Sequence, residues 1–178
     1  MRFLIAEDHP IIVVAVGEIL EAAFGQGGCE TDTVSTGESV LHAVGQAAYC
    51  LVLDLDMPGR PRSVPLLAEV KGVAHDIRMA VYTGHANTCL ALAALEAGAA
   101  AYVSKASGRR LALDAIRTVV DGGRFVDPSI DLEVASNHAW RCLTASMRRE
   151  CRAQVADGRP WPRSSVGLRA RAGTAESW

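Results

Sequence analysis

The stretch CLVLDLDMPG, residues 50–59, runs four apolar residues, Cys50-Leu51-Val52-Leu53, straight into an acid, Asp54. A second acid, Asp56, follows before Pro58-Gly59 turns the chain. Four consecutive apolar residues bounded by turn signals suit a strand buried on both faces, as in a parallel sheet covered by helices. The same shape recurs on either side. Phe3–Ala6 runs into Glu7-Asp8-His9-Pro10, Met79–Tyr82 into Thr83-Gly84-His85, and Ala99–Val103 into Ser104-Lys105. A weaker segment, Glu30–Ser35, alternates through Thr31 and Thr33 and reads as a half-exposed edge strand.

Helical spacing fills the intervals. Pro10 suits a first helical position, and Ile12, Val16, Ile19 and Ala23 then share one face before Gly25. Further helices are predicted over Gly37–Ala47, Pro65–Lys71 and Thr88–Ala97, the last stopped by Gly98. A fifth follows Ser107 as N-cap, carries Leu111, Ala115, Ile116, Val119 and Val120, and stops at Gly122-Gly123. Strand and helix thus alternate five times over residues 1–122, which predicts an open, doubly wound parallel α/β sheet with right-handed crossovers. Chemistry in such sheets gathers at the carboxyl ends of the strands.

Composition agrees with a packed domain. The 178 residues are 49% hydrophobic and 21% charged, with a net charge of −2, which excludes a chain disordered throughout. The longest apolar stretches, such as Ile11–Val16 and Ala97–Val103, fall well short of the ~20 residues of a membrane span. Acid at Glu7 arrives too early for a signal peptide. A cytoplasmic protein is expected. The five cysteines form no C-x-x-C pair and read as small buried thiols, neither staples nor zinc ligands. Charge is uneven: residues 1–122 carry 9 Lys and Arg against 14 Asp and Glu, whereas residues 123–178 carry 9 against 6.

The strand ends present Glu7, Asp8, Asp54, Thr83 and Lys105. Singly, each has an ordinary explanation. An Asp before a helix caps it, a strand-end Thr bonds backbone, and a Lys after a strand is solvated. At one edge of a parallel sheet they make a different sense. Three close carboxylates need a cation to stay ionised together. Mg2+ suits them, since it takes a few carboxylate oxygens and keeps positions for water and phosphate. With a Lys as point charge and a Thr hydroxyl as donor, the set describes phosphoryl transfer.

Glu7-Asp8-His9-Pro10, Leu53-Asp54-Leu55-Asp56-Met57-Pro58-Gly59, Val81-Tyr82-Thr83-Gly84-His85 and Tyr102-Val103-Ser104-Lys105 resemble, in order and spacing, the landmarks of the receiver domain of bacterial two-component response regulators. The resemblance covers residues 1–122 and implies a flavodoxin-like sheet of five strands in the order 2-1-3-4-5. It implies that Asp54 is the phosphoacceptor, taking the phosphoryl group from a phosphohistidine on a sensor histidine kinase. It further implies that Asp8, Asp54 and the backbone carbonyl of Asp56 bind Mg2+, with Glu7 acting through water. Lys105 would pair with the phosphate and Thr83 would turn toward it. Tyr102 matches an aromatic switch, a passive edge-strand tyrosine being the other reading. Asp56 and His85 would flank the water path and modulate phosphoryl loss.

Switching would remodel the face of the fourth helix, fifth strand and fifth helix, including Leu95, Tyr102 and Arg109, and through it a homodimer. The segment Gly59-Arg60-Pro61-Arg62-Ser63-Val64-Pro65 departs from the family's usual loop by its two arginines and two prolines. Two other readings are an Asp54-x-Asp56 phosphatase similar to haloacid dehalogenases and a receiver-like interaction module that is not phosphorylated. Against the first, the acids Glu7-Asp8 precede Asp54, where that superfamily places its further acidic pair late. Against a flavodoxin-type binding module, no hydroxyl- and glycine-rich phosphate loop follows the first strand.

Arg124-Phe125-Val126-Asp127-Pro128-Ser129 resembles the linker after receivers of the NarL/FixJ class, which continues into a LuxR-type helix-turn-helix. Residues 123–142 are therefore expected to be linker. In residues 143–178, Leu143-Thr144 and Val155–Arg159 are similar to the opening of that module but one residue too far apart, and Pro160-Trp161-Pro162 follows where a scaffold helix should. A truncated or degenerate remnant or a mobile basic tail is expected, with a helix from about Thr144 to Ala156. Specific DNA reading is not expected of it. The eight Arg from Arg141 onward leave a nonspecific pull on phosphate backbones.

Overall fold

The computed structural model describes residues 1–132 except 26, 47–49 and 62. Expectations for the remnant or basic tail, and for the linker beyond residue 132, lie outside the described residues. The elements are β1 (Arg2–Ala6), α1 (Pro10–Phe24), β2 (Glu30–Val34), α2 (Gly37–Val44), β3 (Cys50–Leu53) and α3 (Val64–Val73). There follow β4 (Arg78–Thr83), α4 (Thr88–Glu96), β5 (Ala101–Ser104), a 3₁₀ turn (Lys105–Ser107), α5 (Arg109–Val120) and β6 (Phe125–Val126). All strands are parallel, in the order β2-β1-β3-β4-β5-β6.

The continuous apolar runs are strands because both faces are covered. Leu4, Leu51, Leu53, Met79, Val81 and Tyr102 face one apolar layer with α2, α3 and α4. Phe3, Ile5, Cys50, Val52, Ala80 and Val103 face the other, with α1 and α5. This period of two places every core residue of a strand on a defined side. β2 pairs only with β1 and stays largely exposed, as expected of an edge. Burial pushes the Cys50 thiol up to about 12, so it remains a protonated core residue.

Three departures have physical causes. The sheet has six strands rather than five, because Phe125 and Val126 pair with Ala101 and Tyr102 inside the segment expected to be linker. Ser107 does not cap α5. Gly108, at φ +86°, a conformation that favours glycine, occupies the cap position without a side-chain bond. Of the cysteines, Cys29 and Cys50 are free, whereas Cys89 is disulfide-bonded. Cys89 lies in the first turn of α4 and is only half-buried, so its apolar neighbours in sequence do not seal it in the core. Among the described residues, no helix is long and apolar enough to cross a membrane.

Candidate functional site

Strand register decides what meets at the sheet edge. Ala6 lies beside Leu53, Leu53 beside Val81, and Thr83 beside Ser104. The residues that follow these ends therefore share one rim. Two backbone bonds extend the alignment past the strands, Glu7 N to Val34 O at 2.9 Å and Asp54 N to Ala6 O at 2.9 Å. Glu7, Asp54 and Thr83 are all buried, at 5%, 4% and 0% exposure.

Lys105 closes the group. Its Nζ donates to Glu7 Oε2 at 2.6 Å and to Asp54 Oδ2 at 2.7 Å. Burial works to lower this ammonium, but its hydrogen bonds to Asp54 and Glu7 outweigh that and hold it above its ordinary range. The other Asp54 oxygen, Oδ1, accepts from Asp56 N at 3.3 Å. Glu7 Oε1 accepts from His9 N at 3.1 Å and lies 3.1 Å from His9 Nδ1. The hydrogen bond to Glu7, with the Asp8 charge behind it, raises the His9 imidazole above its usual range. Among the described residues, Glu7, Asp8, His9 and Asp54 bring one ligand atom each within 4.8 Å of one another. His9 was not among the expected site residues, although its place directly after Glu7-Asp8 was the available signal.

The ordinary explanations of these residues do not hold in this setting. Asp8 does not cap α1, whose cap position is His9 and carries no side-chain bond. Lys105 gives its ammonium to Glu7 and Asp54, with only 18% of its side chain exposed. Thr83 does not bond backbone, since its Oγ1 is buried without a hydrogen-bond partner. Asp8 Oδ1 is in the same condition, His9 Nδ1 lying 2.9 Å away without hydrogen-bond geometry. A buried polar atom left unpaired costs about 1–3 kcal/mol. Thr83 Oγ1 is such an atom, and Asp8 Oδ1 has only the His9 imidazole beside it, so the site is short of partners. The donor set is carboxylate oxygen from three residues, which fits a hard divalent cation of the Mg2+ type, with Asp8 Oδ1 the oxygen still to be satisfied.

Asp56 and His85 meet across the rim but outside the cluster. His85 Nε2 lies 2.8 Å from Asp56 Oδ2 and 3.0 Å from Oδ1, and both side chains are about half exposed. Asp56 therefore supplies no second carboxylate beside Asp54, as an Asp54-x-Asp56 phosphatase would need. The same His85 accepts at its backbone carbonyl from Tyr102 Oη at 2.7 Å. Tyr102 is fully buried and, with β6 outside it, does not lie on an edge strand. Burial, reinforced by the Asp56 and Asp54 charges, pushes its phenol well above the usual range.

Leu95 is also buried, and Arg109 donates to Glu18 of α1 at 3.1 Å. Leu95, Tyr102 and Arg109 thus do not form one exposed patch. The loop after Asp56 is docked on α2. Arg60 N donates to Glu38 Oε1 at 3.0 Å and Gly37 N to Pro58 O at 3.3 Å. The Arg60 amide, foremost among its donors, holds the Glu38 carboxyl below its usual range.

Residues 3–117 match the family model of the response regulator receiver domain. Among curated proteins, the chain is 26% identical over 136 residues to the transcriptional activator protein ExaE of Pseudomonas putida, covering 76% of this chain and 62% of that one. It is 26% identical over 143 residues to the response regulator UvrY of Escherichia coli K12, covering 76% and 61%. The chain thus spans about three-fifths of the length of these relatives. Among solved structures, it superposes on a LuxR-family two-component response regulator from Aurantimonas sp. SI85-9A1 with a TM-score of 0.67 and 25% identity, covering 76% of this chain and 96% of that one. The isolated receiver domain of RcsB from Salmonella enterica, at 21% identity and a TM-score of 0.65, shares the fold over 73% of this chain and 95% of that one.

Proposed function

Because the chain belongs to the response regulator receiver domain family, we propose that it is a two-component signalling protein whose Asp54 accepts a phosphoryl group from a sensor histidine kinase. The observation that carries this reading is a buried Thr83 hydroxyl without a hydrogen-bond partner and an Asp8 oxygen met only by the His9 imidazole, beside an Asp54 carboxylate held by Lys105. A phosphoryl group would give the hydroxyl an acceptor, and a divalent cation would satisfy the carboxylate. In the transfer, an Asp54 carboxylate oxygen bonds to phosphorus as the phosphorus–nitrogen bond of the phosphoimidazole breaks, and the leaving nitrogen takes up a proton.

Asp8, Asp54 and the Asp56 carbonyl would hold Mg2+, with Glu7 reaching it through water. The ion supplies charge neutralisation for the incoming phosphoryl oxygens. Lys105 is already placed to follow those oxygens, and Thr83 can donate to one of them. Only a conformation that brings both inward gains the new bonds, so phosphorylation acts as a population shift. Tyr102, bonded to the His85 carbonyl and carried on the strand that pairs with that of Thr83, is the side chain that would follow it. The Asp56–His85 bridge lies where water must approach and sets the rate of phosphoryl loss.

A cytoplasmic location and an ancestral transcriptional output go with this reading, in line with the relatives named as activators and response regulators. A phosphorylation-dependent homodimer through the side of α4, β5 and α5 belongs to it as well. Since Leu95 and Tyr102 are buried, its contacts come from other residues of those elements or follow a movement of Tyr102.

The test is incubation with acetyl phosphate and Mg2+, with intact mass and inorganic phosphate followed together. One added phosphoryl group, absent in Asp54→Asn, is the expected result. Full uptake in Asp54→Asn would remove Asp54 as the acceptor, and continuous phosphate release without an adduct would indicate a phosphatase.

A further inference from the structure

The segment expected to be a connector holds a buried carboxylate. Asp127 is 1% exposed. Its Oδ1 accepts from Ser129 N at 3.0 Å and Ser129 Oγ at 2.7 Å, the local turn expected of an Asp two residues ahead. Its Oδ2 serves no local turn. It accepts from Ser104 N at 3.1 Å, across 23 residues of sequence. The backbone is engaged too, with Asp127 N donating to Tyr102 O at 2.9 Å and Ile130 N donating to Asp127 O at 2.9 Å.

Tyr102, Ser104 and Ser107 bracket Lys105. The Lys105 side chain has four rotatable bonds, so its ammonium can sit within 2.7 Å of both Glu7 and Asp54 only if the backbone it springs from is fixed. The 3₁₀ turn that carries it spans three residues, and such short turns hold themselves weakly. Asp127 fixes the entry to the turn twice, through Ser104 N on its carboxylate and through its own N–H on the Tyr102 carbonyl. Burial works to raise the Asp127 carboxyl, but the donors Ser107, Ser129 and Ser104 together hold it below the usual range.

We infer that Asp127 is a positioning residue for Lys105, holding the backbone at Tyr102 and Ser104 so that the ammonium is delivered to Asp54 and tying that strand end to the segment by which the chain leaves the sheet. This rests on the reading of Asp54 as phosphoacceptor. Ile130, buried in the layer that contains Tyr102, anchors the far side of the clamp.

A double-mutant comparison in the full chain tests it. Initial phosphoryl incorporation from acetyl phosphate with Mg2+ is measured by intact mass for wild type, Asp127→Ala, Asp127→Asn, Lys105→Ala and Asp127→Ala/Lys105→Ala. All are assayed well below their melting midpoints. Asp127→Ala is expected to slow incorporation about tenfold, since small misplacements of a positioned group cost rate steeply. Asp127→Asn, which keeps the shape and one acceptor, should cost less, about threefold, and carries the comparison if the Ala variant does not fold. In the Lys105→Ala background the Asp127 substitution should add less than about twofold, because the two act as one unit. Equal factors in both backgrounds, or an unchanged rate with Lys105 present, would overturn the inference. A wild type that incorporates nothing would instead overturn the phosphoacceptor reading, and the inference with it.

Discussion

Replacing Thr83 by Val should make the unmodified protein more stable and the phosphorylated protein less so. The two side chains share a shape, and Val suits a strand at least as well as Thr. In the unmodified state Thr83 Oγ1 is buried without a partner, a condition that costs about 1–3 kcal/mol. Thr83→Val removes that group, so a gain of about 1 kcal/mol is expected, or roughly 2–4 °C in Tm for a domain of this size. With a phosphoryl group on Asp54 the sign reverses. The wild-type hydroxyl then donates to a charged oxygen, a bond worth about 1.5–3 kcal/mol that Val cannot make. Thermal or urea unfolding with and without acetyl phosphate and Mg2+ measures both terms. A Thr83→Val protein less stable than wild type before phosphorylation would refute the reasoning, because it would mean that the hydroxyl already has a partner.

Lys105→Ala leaves Glu7 and Asp54 facing each other without their ammonium. It should still fold but lose about 2–3 kcal/mol in the absence of divalent ions and should uncouple phosphorylation from any change in self-association, as read by unfolding and by sedimentation; an unchanged phosphorylation-dependent association would count against its role. His85→Ala opens the bridge to Asp56, so the acyl phosphate should be lost several-fold faster, on the order of the effect of one general acid–base or shielding group at most, in a phosphate-release assay. An equal or longer lifetime would show that the bridge does not shield the site. Asp127 has a folded pKa below its unfolded value, so its contribution to stability is complete above the unfolded pKa and vanishes as pH falls through the folded one. The stability difference between wild type and Asp127→Asn should therefore shrink as pH falls below about 4, and a difference constant from pH 6 to pH 3 would contradict that linkage. At Gly37 a Cβ would collide with the Pro61 carbonyl oxygen, so Gly37→Ala should lower stability by about 1–3 kcal/mol by displacing the loop docked on α2, and an unchanged Tm would show that the loop gives way freely.

The strands that build the rim were legible because parallel strands buried on both faces must be apolar throughout, which makes the polar residue ending each run conspicuous. Glu7, Asp54, Thr83 and Lys105 stand out in sequence for the same reason that they converge in space. Asp127 offers no such contrast. β6 has two residues, too few for a period, and Gly122-Gly123 reads as the end of a domain when it is only the turn into one more strand. Ser107 shows the limit at the level of a single hydroxyl. Its sequence position makes it a cap for α5, yet Gly108 takes that position without a side-chain bond, and Asp127, 20 residues further along the chain, reaches the neighbouring Ser104 only when β6 pairs with β5. The residues that do the chemistry are therefore marked locally by the strands they terminate, whereas the residues that aim them are chosen by long-range pairing. Asp127 belongs to the second kind, and only the pairing of Phe125 and Val126 with β5 brings it to Lys105.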